Sequence, residues 1–167
     1  MNNKFPYKSI LIVCSVNTAR SRMTEGYLKN FCYENNLNVE INSGGIASNA
    51  RDGMLISMDA HMAMREEGID LSETALSVDL KKKEHQHLIE KADLILTLTN
   101  QHKDQIKKYI KSNNKHVFTL KEFAGECGNI PDPSMKGIEG FRIARDEIKD
   151  CLTKGLNNLG FKLIQER

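Results

Sequence analysis

The sequence predicts an α/β fold, a three-layer sandwich in which a four-stranded parallel sheet is flanked by helices on both faces. Two observations indicate it. Short segments rich in apolar and β-branched residues alternate along the chain with segments of helical periodicity. The first of these, SILIVC, is apolar on both alternating faces, as a parallel strand covered on both sides must be. The 167 residues suffice for one domain with a sizeable core, so we predict a single domain over residues 1–167.

The first strand and the helix after it have the clearest patterns. The strand spans residues 9–14 and is followed by small polar residues. Between residues 21 and 35, apolar side chains recur at spacings of three and four, which predicts a helix that ends at two consecutive asparagines. These apolar positions are Met23, Tyr27, Leu28 and Phe31.

The later elements continue the alternation. Strands are predicted at residues 39–42, 93–99 and 116–120. Helices are predicted at residues 55–67, from the end of the third strand to residue 111, and from about 138 to 160. The expected core positions on these helices are Met54, Met58, Met62, Met64, Ile143, Ile148, Leu152 and Leu156. Because the carboxyl ends of parallel strands meet at one edge of a sheet, the loops after the strands form the expected binding edge.

Composition narrows the classes of partner. The formal net charge is only +2 and the longest strongly apolar run is residues 10–14, so we expect neither a nucleic-acid partner nor a membrane span. The N-terminal MNNKFPYKS lacks an apolar signal segment, and the four cysteines lack CxxC spacing, which predicts a cytoplasmic protein with reduced thiols. His85 and His87 would point to different sides of a helix, so we expect no metal site and no cofactor.

The stretch VCSVNTARSRMTEG joins the first strand to its helix and carries the candidate chemistry. Free backbone N–H groups and the positive end of a helix bind anions, and the same field would favour the thiolate form of a thiol at the base of the loop, Cys14. Arg20 offers a planar fork that matches two oxygens of a phosphoryl group. Ser21 can donate a hydrogen bond to the sulfur, and Asn17 tolerates the left-handed backbone that such a loop often needs.

Two interpretations of Cys14 are open on these residues. A cysteine at the end of a strand is commonly a buried core thiol, and an arginine six positions later is a frequent coincidence. A cysteine that accepts a phosphoryl group also needs an acid for the leaving atom and then a base for water. Asp132, between two prolines in the loop after the fourth strand, lies at the same predicted edge, although an Asp-Pro pair alone is a turn signal. The combination favours the nucleophile.

Taken together, Cys14-x5-Arg20-Ser21, the SGG turn that begins at Ser43, and the Asp-Pro pair at Asp132 resemble the low-molecular-weight protein tyrosine phosphatases over essentially the whole chain. The stretches TLTNQHKDQI, VFTLKEFAG and GFRIARDEI look most like the bacterial branch that includes protein arginine phosphatases. The resemblance implies a metal-free phosphatase that uses a phosphocysteine intermediate on phosphoarginine or phosphotyrosine. Its partners would be a phosphorylated protein and the phosphate ion.

The same resemblance implies a role for each matching residue. Cys14 would be the nucleophile, Arg20 would bind the transition state and Asp132 would be the general acid. Supporting roles would fall to Ser21, Asn17 and Ser43. The implied phosphate-binding residues are Ser15, Val16, Asn17, Thr18, Ala19, Arg20 and Ser21.

Several positions depart from the usual pattern of the family. Val16 stands where glycine is usual, and a valine forced to positive φ would be strained by about 1–2 kcal/mol. Ala19 replaces a second loop cysteine, so no disulfide can form inside the loop. Arg22 replaces a proline and is expected to add positive charge close to the anion site. For the histidine that many members carry in a buried hydrogen-bond network, Thr74 is the best match.

Substrate selectivity depends on two further positions. Ser134 follows the Asp-Pro pair where tyrosine-directed members commonly carry an aromatic residue, and the chain has no tryptophan. A phenyl ring would thereby lose stacking partners worth about 0.5–1.5 kcal/mol each. Thr18 resembles the threonine associated with phosphoarginine selectivity, but it fits equally well as a small residue capping the helix. Both substrates therefore stay open at this point.

Two other functions are compatible with the same fold. Thiol-dependent arsenate reductases carry a cysteine pair after the third strand, and residues 97–112 contain no cysteine. A phosphate- or phosphoprotein-binding relative without turnover would account for Val16 and Arg22. It would not account for the joint presence of Cys14, Arg20 and Asp132.

The other cysteines have simpler expectations. Cys32 and Cys151 lie beside apolar residues on predicted helices and are expected to be buried structural thiols. Cys127 lies in the loop that leads to the candidate acid. It would form a redox pair with Cys14 only if the two loops meet.

Overall fold

The structure, a computed structural model that describes residues 4–164, contains the predicted four-stranded parallel sheet. The strands are β1 (Ser9–Cys14), β2 (Glu40–Gly45), β3 (Leu94–Thr97) and β4 (His116–Thr119). Their spatial order is β2-β1-β3-β4, and every residue of β1 is buried. The α/β fold class is therefore confirmed.

Helices cover both faces of the sheet. They are α1 (Arg20–Glu34), α2 (Met58–Arg65), α3 (Gln86–Lys91), α4 (Asn100–Lys107), α5 (Leu120–Phe123) and α6 (Gly137–Asn158), with a 3₁₀ turn at Lys83–His85 before α3. Ile10 and Ile12 of β1 pack in the core formed with α1, α2, α5 and α6, while Leu11 and Val13 pack toward α3 and α4. In residues 4–164, none of these helices has both the length and the apolar character needed to cross a bilayer.

The methionine-rich helix packs differently from the prediction. Helix α2 begins at Met58, three residues later than expected, and Met58 is 70% exposed. Met62 is exposed as well, whereas Met64 is fully buried. The buried face of α2 consists of Ala60, His61, Ala63 and Met64, and its two alanines let the helix backbone lie close to the core. The assignment of the methionine stripe to the core was therefore wrong for Met58 and Met62.

The last helix follows the prediction with one exception. Ile148, Leu152 and Leu156 of α6 are buried, but Ile143 is 56% exposed. Ile143 is five positions before Ile148, which places it on another side of a helix with 3.6 residues per turn. The inner face of α6 is continued by Ala144 instead.

Element boundaries near the candidate site also differ from the prediction. Strand β2 continues through the SGG turn to Gly45, and α4 ends at Lys107. The segment after β4, which was expected to be a loop, begins with the short helix α5. Thr119 starts this helix through a capping box with Glu122, a pattern of the kind that marks helix starts.

Parallel pairing brings the strand ends together at one edge. Cys14 at the end of β1 lies beside Gly45, and Val13 lies beside Thr97 of β3. The loop that carries the candidate acid is tied to the same edge, because the amide of Ile130 donates to the carbonyl of Leu98 at 2.9 Å. The binding edge expected from the strand order is the place where the candidate residues meet.

Candidate active site

The loop between β1 and α1, residues 15–19, has the geometry of an anion site. Its left-handed residue is Asn17, with φ 65°, a residue type that tolerates this conformation. Val16 is not among the described residues with positive φ, so the loop avoids the dihedral at which a valine would be strained. Within the described part of the chain, the amides of Val16, Thr18 and Ala19 donate to no protein acceptor. These N–H groups, at the N-terminus of a 15-residue helix, can bind an anion.

The thiol of Cys14 lies at the base of this loop and is 3% exposed. Its Sγ is 2.9 Å from Ser21 Oγ and accepts a hydrogen bond from the Asn17 amide at 3.2 Å. Ser21 Oγ in turn accepts from Asn17 Nδ2 at 2.9 Å, which leaves the hydroxyl hydrogen for the sulfur. Two donors aimed at the sulfur stabilise its thiolate form.

Asn17 also ties the loop to distant parts of the chain. Its Nδ2 donates to Ser43 Oγ at 2.9 Å, and its Oδ1 accepts from the amide of Val78 at 3.0 Å. The Ser43 hydroxyl then donates to the buried carboxylate of Glu25 at 3.2 Å. The loop is therefore held by a continuous buried network rather than by its own residues alone.

Arg22 belongs to this network and not to the anion site. Its guanidinium pairs with Glu25 at 3.1 Å, donates from Nε to the carbonyl of Asn17 at 3.3 Å, and donates from Nη2 to the carbonyl of Leu76 at 2.6 Å. The charge of Arg22 lies close to the loop, as expected, since Nε contacts the Asn17 carbonyl, but it is paired with the carboxylate of Glu25. Thr74 was wrong as a network member: it is exposed and bonds to Ser72.

Gly45 lets β2 approach the loop closely. The amides after it donate to the loop carbonyls, Ile46 to Cys14 at 3.0 Å and Ala47 to Ser15 at 3.1 Å. A Cβ at Gly45 would lie only 2.7 Å from the Ser15 carbonyl oxygen and 2.9 Å from the Cα of Val16. No larger residue fits there without moving the loop backbone, which explains the glycine of the SGG turn physically.

Arg20 begins α1 and joins the two loops of the site. It is buried, donates from Nη1 to the Ile130 carbonyl at 3.0 Å, and places Nη2 at 3.4 Å from Ser15 Oγ. Within the described part of the chain, no carboxylate forms an ion pair with it. A buried guanidinium that lacks an acidic partner is stabilised when an anion binds beside it.

Asp132 lies at the mouth of the site on an exposed loop. The Ser134 amide donates to its Oδ1 at 3.0 Å, so the serine after the Asp-Pro pair orients the carboxylate through its backbone. Partial burial raises the pKa of Asp132, but the hydrogen bonds from Ser134 and the charges of Arg20 and Lys136 outweigh it and leave the pKa lowered. The carboxyl group is therefore ionised in the free protein at neutral pH.

An open cavity of about 340 Å³ connects the two loops. Ser15, Arg20 and Asp132 line it on the sides that carry the candidate chemistry. The rest of its wall is Thr99, Gln101, His102, Asn129, Ile130 and Pro131. Most of these side chains are polar, and none except the imidazole of His102 is aromatic.

His102 is the residue of this wall that sequence reasoning missed. It lies in the first turn of α4, where its amide donates to the N-cap side chain of Thr99 at 3.1 Å, and its Nε2 is 2.8 Å from Ser15 Oγ. Burial first, and then the charge of Arg20, lower its pKa to about 4, so the ring is neutral at neutral pH. The sequence signal for His102 was a histidine in the first turn of a helix that follows a buried strand, because that position lies at the binding edge of the sheet.

The remaining predicted residues lie at the rim or outside the site. Thr18 is half-buried, and its carbonyl accepts from the Ser57 amide at 2.9 Å, which joins the loop to the start of α2. Ala19 packs against the core, and Ser134 is exposed. Cys127 is an exposed free thiol, while Cys32 and Cys151 are buried as predicted.

One group of side chains outside the site has possible metal ligands. Ligand atoms of Asp52, Glu84 and His85 lie within 4.8 Å of one another. The ammonium group of Lys82, however, is 3.0 Å from the same Asp52 oxygen that His85 contacts at 3.1 Å. The negative charge of Asp52 is thus matched by a protein cation, and the group is explained as a surface ion-pair cluster.

In combination with the α/β fold, these distances define a class of protein: hydrolases whose nucleophile is a cysteine at the base of an anion-binding loop. Known proteins agree with this class. The model of the family described as low molecular weight phosphotyrosine protein phosphatase matches residues 9–164. The chain belongs to this family.

Relatives of this chain include phosphatases named for two different substrates. A protein-arginine-phosphatase of Geobacillus stearothermophilus is 36% identical over 150 residues, which cover 89% of this chain and 93% of the relative. The low molecular weight protein-tyrosine-phosphatase PtpB of Staphylococcus aureus is 32% identical over 149 residues, covering 87% and 94%. A solved cysteine-to-serine mutant of the arginine phosphatase YwlE, with a phosphorylated active-site serine, superposes with a TM-score of 0.77 at 32% identity, covering 90% of this chain and 93% of that one.

Proposed function

We propose that the protein hydrolyses phosphorylated side chains of proteins, with Cys14 as the nucleophile and a phosphocysteine intermediate. The observation that carries the proposal is the placement of Cys14 Sγ, 2.9 Å from Ser21 Oγ and 3.2 Å from the Asn17 amide, at the base of a loop with unused N–H groups. The related YwlE mutant supports it, because a phosphoryl group is found there on the serine that replaces the active-site cysteine.

In the first step, the Cys14 thiolate attacks phosphorus and an S–P bond forms. The P–O or P–N bond to the protein substrate breaks, and its electron pair stays on the leaving atom, which takes a proton from Asp132. The loop amides and the fork of Arg20 bind the phosphoryl oxygens, on which negative charge is spread in the transition state.

In the second step, water attacks the phosphorus of phosphocysteine. Asp132, now a carboxylate, takes a proton from this water, the S–P bond breaks, and its electron pair returns to Cys14 as the thiolate. The Ser21 hydroxyl and the Asn17 amide stabilise that thiolate as a leaving group. Inorganic phosphate is released.

Protonation of Asp132 is coupled to substrate binding in this scheme. The pKa of Asp132 in the free protein is lowered by the Ser134 hydrogen bonds and by Arg20, although burial opposes this. A phosphoryl dianion bound against Arg20 offsets that positive charge and adds a negative one, which raises the pKa of a nearby carboxyl group. The acid form needed in the first step is therefore favoured when substrate is bound.

We further propose that phosphoarginine is the preferred substrate. The wall of the cavity offers oxygen acceptors on Thr99, Gln101, Asn129 and Asp132, which suit a guanidinium leaving group. The aromatic rings that pack together, such as Tyr7 against His116, lie at the amino ends of the strands, away from this cavity. The only ring among the residues of the wall is the imidazole of His102, which is 2% exposed, so a phenyl leaving group would find no open ring face to stack on.

The proposed chemistry is tested by hydrolysis of p-nitrophenyl phosphate. Wild type should turn over, and Cys14→Ser should be inactive. Asp132→Asn should turn over slowly, because it lacks the base for hydrolysis of the phosphocysteine. Cys127→Ser is the matched control, since Cys127 is an exposed thiol without a catalytic role, and it should retain wild-type activity. If wild type were no faster than Cys14→Ser, the proposal would be wrong.

Selectivity is tested with peptides of one sequence that carry either phosphoarginine or phosphotyrosine. We expect kcat/KM to favour phosphoarginine, and Thr18→Ile to reduce that preference because it removes a hydroxyl at the rim of the loop. Thr18→Ser keeps the hydroxyl and should keep the preference. A large preference for phosphotyrosine that Thr18→Ile leaves unchanged would overturn the assignment of substrate.

We also propose that residues 1–167 form one phosphatase domain that acts in the cytoplasm. Two apolar clusters on opposite faces of a single sheet support the first point. Free thiols at Cys14, Cys32, Cys127 and Cys151 support the second, because a nucleophilic cysteine must stay reduced. When the cells that produce the protein are fractionated, we expect the phosphatase activity in the cytoplasmic fraction.

A further inference from the structure

The proposed mechanism leaves one buried titratable group of the cavity without a role. The imidazole of His102 is 2% exposed and lies beneath the cavity wall, with Nε2 at 2.8 Å from Ser15 Oγ. Ser15 is the first loop residue after the nucleophile, and its Oγ is also 3.4 Å from Nη2 of Arg20. The contact therefore reaches from α4 into the anion-binding loop.

The surroundings of the ring determine which nitrogen of His102 carries the hydrogen. Nδ1 has no hydrogen-bond partner among the described residues. The ring is neutral, because burial and the charge of Arg20 lower its pKa to about 4, while Asp132 opposes this only partly. A buried N–H without an acceptor is rarer in proteins than an under-used acceptor. The hydrogen therefore belongs on Nε2, from which it is donated to Ser15 Oγ.

This assignment fixes the direction of the Ser15 hydroxyl. Its oxygen accepts from His102 Nε2 and from Arg20 Nη2, which uses both lone pairs of a hydroxyl. Neither neighbour is an acceptor, so the hydroxyl hydrogen is left to point into the cavity that Ser15, Arg20 and Asp132 share. A phosphoryl oxygen bound against Arg20 is the acceptor within reach.

We propose that His102 is a positioning residue, which holds the Ser15 hydroxyl as an additional hydrogen-bond donor to the phosphoryl group. The proposal rests on the proposed function, because it requires that the loop bind phosphate. Ser15 then contributes a side-chain donor beside the loop amides, and His102 acts only through Ser15. Because the ring is uncharged, the donor adds no further positive charge beside Arg20.

A double-mutant cycle tests this coupling. Ser15→Ala and His102→Leu should each weaken binding of inorganic phosphate, measured by calorimetry, and lower kcat/KM on p-nitrophenyl phosphate by about fivefold, the worth of one hydrogen bond. The double variant should be no worse than either single variant. If the losses multiply, His102 acts independently of Ser15 and the proposal is wrong.

Conservative variants separate positioning from packing. His102→Gln places an amide nitrogen near the position of Nε2 and should restore most of the loss, whereas His102→Asn is too short to reach Ser15 and should not. Asn also replaces Leu in the cycle if His102→Leu does not fold, as judged by thermal unfolding. Ser15→Thr keeps the hydroxyl and should lose less than Ser15→Ala. Lys107→Gln, on the exposed side of α4, is the control and should behave as wild type. A His102→Gln variant as impaired as His102→Asn would contradict the proposal.

The two proposals fail in distinguishable ways. A wild-type protein without phosphatase activity would refute the proposed function, and the calorimetric cycle would still decide whether Ser15 and His102 act together on phosphate. An active wild type with multiplicative losses would refute the positioning role alone.

Discussion

The loop that holds Cys14 and the loop that carries Asp132 face the same cavity but are built in opposite ways. Every residue of the first loop, 15–19, is buried or half-buried. This loop is fixed by contacts with β2 and with the segment after α2, including the hydrogen bonds of Asn17 to Ser43 and Val78. The second is exposed from Ser134 onward, and the hydrogen bonds to the Asp132 carboxylate come from only two residues away. Arg20 is the direct link between them, through the Ile130 carbonyl.

This difference follows from what each loop must do. Charge on the phosphoryl group is stabilised best by donors that do not reorganise during the reaction, which requires a rigid, buried frame. The leaving group is part of a protein substrate, so the residues that meet it must be accessible, and accessible residues lie on exposed loops. Changes in the buried loop should therefore affect every substrate, and changes in the exposed loop should depend on the leaving group.

The largest effect is expected at the link between the loops. Arg20→Lys replaces a planar fork by a point charge and removes the guanidinium that reaches the Ile130 carbonyl. We expect kcat/KM on p-nitrophenyl phosphate to fall by about 10²–10³-fold. Arg51→Lys, at an exposed position, is the control and should have no effect. A loss of less than about tenfold for Arg20→Lys would show that the fork is not used.

The exposed loop is tested by varying the leaving group. Asp132→Asn cannot donate a proton to the leaving atom, so kcat/KM on phenyl phosphate should fall by about 10²-fold or more. p-Nitrophenolate leaves readily without protonation, so the fall of kcat/KM on p-nitrophenyl phosphate should be clearly smaller. Equal losses on the two esters would contradict the acid role of Asp132, because kcat/KM reports the steps up to cleavage of the P–O bond.

Two neighbouring glycines test the rigidity of the buried loop. Gly45→Ala places a Cβ 2.7 Å from the Ser15 carbonyl oxygen, so the loop backbone must move, and we expect kcat/KM to fall by about tenfold. At Gly44 the new Cβ meets the side chain of Leu80 instead. Gly44→Ala should lower the free energy of unfolding by about 1–3 kcal/mol and leave kcat/KM of the folded protein unchanged. If Gly44→Ala lowered kcat/KM and Gly45→Ala did not, close packing of β2 would not be what holds the loop in its active shape.

The smallest effect is a pH dependence of stability. The pKa of His102 is lowered to about 4 by burial and by Arg20, so its contribution is complete above the ordinary histidine pKa and is lost as pH falls toward the folded value. Between pH 7 and pH 5, wild type should therefore lose about 2 kcal/mol more of its unfolding free energy than His102→Gln, which cannot titrate. Urea titrations at the two pH values measure this difference, and identical losses would contradict the burial of a neutral ring.

Local patterns predicted the sheet and the chemistry at its edge. Five consecutive apolar residues ending in Cys14 identified β1, and the spacing to Arg20 placed the two residues at either end of one loop. Asp132 was found because a rigid Asp-Pro turn followed the fourth strand. Each of these depends on neighbours in sequence, or on the rule that parallel strand ends share an edge.

The remaining features depend on contacts between residues far apart in the chain. The direction of Arg22 is set by Glu25 and by the Leu76 carbonyl, and the role of His102 is set by Ser15, none of which periodicity reveals. At Val16 the loop avoids the strained dihedral, because the left-handed position belongs to Asn17. Methionines suit a core or a surface equally, so their spacing on α2 did not determine which face is buried.

Trapping the covalent intermediate tests the central claim most directly. Asp132→Asn, which lacks the base for the second step, is mixed with p-nitrophenyl phosphate, quenched in acid, digested and analysed by mass spectrometry, with Cys14→Ala treated in the same way. The account predicts one phosphoryl group on the peptide that contains Cys14, located on the cysteine sulfur, and none in the Cys14→Ala sample. Steady turnover by Asp132→Asn with no phosphorylated cysteine, or with the phosphoryl group on another residue, would contradict it.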